Sequence, residues 1–153
     1  MALKLRVRIR QRGNPFVIYQ AHRALLWAGD IEVASELARI LQSSDLPKVT
    51  QLFVSLRQAC AENRTSDAVR IYETIITEHS NITSHWIVHS LMGQQEKAFD
   101  TLVGIDDPNL SQLGRFQSYT YCDARLFPNF LTLLETQGIE PREPQKTPCG
   151  CKM

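Results

Sequence analysis

No stretch of this sequence approaches the roughly 20 consecutive apolar residues that a membrane-crossing helix needs, and its start lacks the continuous apolar segment that marks a secretion signal. A soluble chain is the expectation, cytoplasmic in preference to periplasmic. Charge of one sign is scarce too. Lys and Arg number 17 and Asp and Glu 16, for a net +1, and Lys4, Arg6, Arg8, Arg10 and Arg12 supply five of the positives, which leaves −4 on the remainder. Affinity for nucleic acid rests on clustered cations that neutralise phosphates, so no nucleic-acid partner is expected. Four cysteines are too few to staple a small scaffold. Free thiols in a reducing compartment are the expectation, with Cys60 and Cys122 acting as small hydrophobes. Signatures of catalysis are missing as well: no Gly-rich phosphate loop, no Gly-x-Ser-x-Gly elbow and no carboxylate pair that stands out from ordinary surface charge. The expectation is a chain that is not an enzyme and needs no cofactor.

What the sequence does contain is a repeat. Hydrophobic residues are 43% and charged residues 22% of 153, enough apolar material for one packed domain. Within it, Gly29 is followed five residues later by Ala34, Asn63 by Ala68, and Gly93 by Ala98. Gly and Asn enter the left-handed backbone region at least steric cost, so each marks a tight turn between two helices, and the alanine lets those helices approach closely. Ala34 to Ala68 is 34 residues, the tetratricopeptide period, and Ala68 to Ala98 is a shortened 30. Apolar residues keep helical spacing after each turn, as Ala34, Leu37, Ala38 and Leu41, then Ala68, Ile71, Tyr72 and Ile75, then Ala98, Leu102 and Ile105. Asp45-Leu46-Pro47, His79-Ser80-Asn81 and Asp106-Asp107-Pro108 supply turn chemistry between units, so the spacing predicts six helices in three hairpins. A last apolar face, Leu126, Phe127, Phe130, Leu131, Leu133 and Leu134, stopped by Gly138, predicts a capping helix near residues 126–137. The resulting reading is all-α: a right-handed α-solenoid of about three such hairpins plus a C-terminal cap. It divides into a basic segment or truncated repeat helix over 1–13, a helical domain over 14–140 and a flexible tail over 141–153.

The run NPFVIYQAHRALLWAGDIEVASELARIL resembles a tetratricopeptide (TPR-like) repeat, with Gly29, Asp30 and Ala34 at the turn and packing positions; Asn63 departs from the glycine of that pattern. The end, YCDARLFPNFLTLLETQGI, resembles the close of the repeat regions in bacterial adenylate-cyclase-like proteins and membrane-anchored winged-helix regulators. The resemblance implies a protein-binding scaffold or regulatory sensor domain, with first helices that line a concave peptide groove. Carried over by register, the groove residues are Phe16, Tyr19, Arg23 and Trp27, then Phe53, Arg57 and Cys60. Tyr19 and Phe53 are 34 apart, as are Arg23 and Arg57, which predicts an aromatic row beside an arginine row. That pairing suits an acidic or C-terminal peptide of unknown identity, because arginine presents a planar fork to carboxylates.

A rival reading is a metal- or small-molecule-responsive helical domain. His85 and His89 lie four apart and could turn both rings to one ion, although no carboxylate follows His85 as a zinc-hydrolase helix requires. Cys149 and Cys151 lack a second pair at finger spacing and read as tail thiols able to cross-link on oxidation. No metal ligand set is therefore assigned. The opening LKLRVRIRQR alternates apolar and basic residues; the repeat context favours a helix over a strand there. Assembly as a homo-oligomer is left open.

Overall fold

A computed structural model describes residues 13–79, 85–104, 128–141 and residue 151. The basic opening segment before residue 13, the stretch from Ile105 to Phe127 with its aromatic-Asp-x-Arg motif, and Cys149 lie outside these residues. The described residues form seven α-helices and no strand: α1 Pro15–Trp27, α2 Ile31–Gln42, α3 Lys48–Ala61, α4 Thr65–Glu78, α5 His85–Leu91, α6 Gln95–Val103 and α7 Pro128–Thr136.

Local chemistry sets the boundaries. Asn14 caps α1 by accepting from the Phe16 N–H at 2.9 Å, and Pro15 occupies the first helical position, where its missing N–H costs nothing. Asp30 caps α2, accepting from the Val33 N–H at 3.3 Å. The three expected turns are one structure repeated. Gly29, Asn63 and Gly93 have φ of 77°, 56° and 71°. After each, the next N–H reaches back five residues along the chain: Asp30 to the Leu25 carbonyl at 2.9 Å, Arg64 to Ala59 at 2.8 Å and Gln94 to His89 at 2.9 Å. A bond spanning three residues accompanies it, from Gly29 to Leu26, Asn63 to Cys60 and Gly93 to Ser90. These paired bonds satisfy carbonyls that a helix end would otherwise leave open. Gly138, at φ 66°, ends α7 with the same pair of bonds.

Each turn folds its second helix back on the first, and Ala34, Ala68 and Ala98 are all fully buried at the crossing. Accordingly α1 packs on α2, α3 on α4 and α5 on α6, while α3 also contacts α2, α1 and α5. That central place explains why Phe53, Val54 and the run Leu56 to Ala61 are all buried on α3. The main core joins Leu56, Ile75, Trp86, Val88, Leu91 and Leu102 to Phe130 and Leu134 of α7, each at most 1% exposed. Phe99 meets Phe130 edge to face at 6.0 Å. A smaller core of Ile18, Leu37, Ala38, Leu41 and Val54 holds α1 and α2 against α3.

One expectation is corrected. Cys60, read as a free small hydrophobe, is 3% exposed and disulfide-bonded to Cys151. The Cys151 N–H also donates to the Leu91 carbonyl at 2.9 Å, so residue 151 links the ends of α3 and α5. The reason is positional: Cys60 lies at the C-terminal end of α3, where Cys151 packs against it.

Two outcomes are expected. A Cβ at Gly29 or Gly93 would meet nothing within 4 Å, so Gly29→Ala costs only backbone strain, about 1 kcal/mol, while Asn63→Gly is neutral or slightly stabilising; denaturant midpoints check the contrast. Reduction or Cys60→Ala removes a cross-link spanning 91 residues and lowers stability by about 2–4 kcal/mol, read from melting of oxidised and reduced protein.

Candidate functional site

The residues that register carries over divide between α1 and α3. Phe16, Tyr19, Arg23 and Trp27 follow one another at spacings of three and four, which places them along one stripe of α1. Its ends are open: Phe16 is 59% and Trp27 53% exposed. The Phe16 ring lies 6.2 Å from Tyr19, and the Arg23 guanidinium sits 5.5 Å above the Trp27 ring while donating to the Gln20 carbonyl oxygen Oε1 at 3.2 Å. Arg23 therefore stands at the surface, backed by an aromatic face, an arrangement that holds a guanidinium without burying it.

Arg57 behaves differently from the expectation that it lines an arginine row. It is 5% exposed, donates through Nη1 to the Tyr19 hydroxyl at 2.7 Å, and lies 5.4 Å from the Tyr19 ring and 5.8 Å from the ring of Phe53, itself 9% exposed. Register does bring Tyr19, Phe53 and Arg57 together. It makes them a stack that joins α1 to α3, with Arg57 as the filling instead of an open fork. The close contact of α1 with α3 is the cause, because the space above Arg57 is taken by Tyr19. Cys60, the last residue of the carried-over set, is sealed in its disulfide.

Beneath the stripe runs a polar line that sequence reasoning missed. His22 is fully buried, and its Nε2 is 3.0 Å from the Gln58 Oε1. Gln58 spends its amide N–H groups on the Ile31 carbonyl at 3.3 Å and Glu62 at 2.8 Å, so His22 must be the donor to its oxygen. His22 Nδ1 then faces the interior as an acceptor without a partner. Burial pushes the His22 pKa down to about 4, the Gln58 bond opposing this and the neighbouring Arg57 charge adding to it. The signal was available in register: His22 stands seven residues before Gly29, where Leu56 precedes Asn63 and Trp86 precedes Gly93, both buried. It is the one polar member of an apolar column.

The histidine pair is also engaged. His85 donates from Nε2 to the His79 carbonyl at 2.7 Å. His89 Nδ1 lies 3.1 Å from the Tyr72 hydroxyl, which donates onward to Gln94 at 2.9 Å. The two rings meet edge to face at 6.4 Å, and among the described residues no group of three or more His, Cys, Asp or Glu side chains could hold a metal ion. Burial, then the charges of His85 and Lys97, keep His89 below its usual pKa. Among the described residues no helix is long and apolar enough to cross a membrane. No family model, curated protein or solved structure matches the chain.

The buried histidine sets a pH dependence. Its folded pKa lies below its unfolded value, so its contribution is intact above about pH 6.5 and is lost as pH falls toward 4. Between pH 7 and 5 this amounts to roughly 2 kcal/mol. His89 adds a smaller part of the same sign. Urea unfolding at the two pH values should therefore show a steep loss in the native protein and a shallow one in His22→Leu; equal losses would rule out a neutral buried His22.

Proposed function

We propose that the chain is a non-enzymatic interaction module, a solenoid of three TPR-like hairpins closed by α7, which docks a polypeptide segment along the aromatic and arginine stripe of α1. The observation that carries this reading is the exposure of Phe16 and Trp27 on either side of Arg23, on a helix whose adjoining side, through Ile18, His22 and Leu26, is buried. Large aromatic rings left in water beside a braced guanidinium are the composition of a contact surface, since they offer apolar area with little rotamer entropy to lose. The solenoid reading is supported by three turns of one geometry and by the seating of Phe130 and Leu134 in the main core, where α7 covers apolar surface that α6 would leave bare.

The ligand that fits is a segment with an acidic group for Arg23 and apolar side chains for Phe16 and Trp27. Arg57 braces the surface from below and does not meet the ligand. Trp27 provides the readout, because the second tryptophan, Trp86, is buried and reports the core. In a peptide-display selection, binders should be enriched in acidic residues flanked by apolar ones, and their capture should shift Trp27 emission. Arg23→Glu and Trp27→Ala should each weaken capture at least about tenfold with helicity unchanged. Binders that ignore both substitutions would place the contact surface elsewhere.

A further inference from the structure

A second region of the molecule shares none of the stripe's residues. Where α2, α3 and α4 meet, an open cleft of about 280 Å³ is lined by Arg39, Arg64 and Arg70, against a single carboxylate, Glu62. Even with Asp67 counted, which pairs with Arg64 and Arg70 just beyond the lining, positive charge exceeds negative there, on a chain whose overall charge is only +1. The floor is apolar, from Ala38 and Ile71. Between floor and rim stand Ser35, Gln42, Ser55 and Gln58. The amide N–H groups of Gln42 go to the Gln51 carbonyl and the Ser55 Oγ, and those of Gln58 to Ile31 and Glu62, which leaves the Ser55 hydroxyl as a donor and the Gln42 Oε1 as an acceptor.

The cations are arranged with hydrogen-bonding capacity to spare. Arg64 spends Nε on Glu62 at 2.7 Å and Nη1 on Asp67, which leaves Nη2 unused among the described residues. Arg70 reaches Asp67 with Nη2 alone, at 3.3 Å. Arg39 makes no ion pair or side-chain hydrogen bond among the described residues. Glu62 is turned to Gln58 and Arg64 and offsets part of this charge; burial pushes its pKa up, but those two bonds, the Arg64 charge and a bond from Ser35 outweigh it and hold the carboxylate ionised. Three guanidiniums contributed by two neighbouring hairpins thus point at one small volume with an apolar base.

We propose that this cleft is a binding site for a small polyanion, a molecule carrying two or more carboxylate or phosphate groups. Guanidinium forks match the paired oxygens of both groups, and the Ser55 hydroxyl would add one neutral donor. The volume lies just under the roughly 300–1,000 Å³ of common ligand pockets, which suits a compact organic acid or phosphate and excludes a dinucleotide or a folded peptide. Because Arg39 belongs to α2 and Arg70 to α4, an occupant would bridge successive hairpins and stabilise their packing.

Calorimetric titration of the full chain with citrate, pyrophosphate and inorganic phosphate, at one constant ionic strength, tests this. Saturable one-to-one binding of citrate or pyrophosphate is expected, tighter than that of inorganic phosphate, and the stronger of the two identifies the anion as carboxylate or phosphate. Arg39→Ala and Arg70→Ala, both exposed positions, should keep their helicity and each weaken binding at least about tenfold, while Trp27→Ala leaves it unchanged. The proposal is overturned by the absence of saturable binding up to about 10 mM of any of the three anions, or by affinities that neither arginine substitution alters. Either outcome is independent of peptide capture by α1.

Discussion

The structure depends on one constraint: a helix that reverses through a single left-handed residue must lie almost flush against the helix before it. Only a methyl group fits at that crossing, which is why Ala34, Ala68 and Ala98 are each buried completely. A larger side chain would wedge the pair apart and break the two bonds that close the turn. With the pairs held this tightly, α3 is left in the middle with apolar residues facing several helices at once, and the core grows outward from it.

Polar groups are buried where successive pairs meet. Arg57 and His22 both lie under the surface of α1, one sandwiched by the rings of Tyr19 and Phe53, the other joined to Gln58. A buried guanidinium is tolerable only with hydrogen bonds and polarisable faces around it, and a buried imidazole only in its neutral form. Burial keeps the histidine unprotonated, and the neighbouring Arg57 charge adds to this. Gln58 then hands the connection to Glu62 and Arg64, so one line of contacts leads from beneath the aromatic stripe to the wall of the arginine cleft. The two proposed surfaces are chemically separate, yet they share the packing of α1, α2 and α3.

Much of this was legible in the chain. The positions of the turns followed from Gly29, Asn63 and Gly93, because a positive φ is a property of one residue and its neighbours. The buried alanines followed from their fixed distance to those turns. The final apolar helix with its Gly138 stop was legible for the same reason, and Phe130 and Leu134 prove to be buried. Less legible was the fate of side chains that share a register. Arg23 and Arg57 occupy equivalent positions, but Arg57 is enclosed beneath Tyr19 of α1, whereas Arg23 is only half-buried. The cleft was invisible because Arg39 lies on α2, Arg64 in the turn before α4 and Arg70 on α4, with no common motif.

The sequence by itself determined that the chain is helical, where it reverses and which alanines lie at the crossings, since those features are set within five or six residues of backbone. Only the tertiary structure decided that Cys60 meets Cys151, that Arg57 is enclosed by Tyr19 and Phe53, and that three arginines from two hairpins face one cleft. Those outcomes depend on which helix faces which across the packed chain, and contacts between residues tens of positions apart leave no local pattern to read.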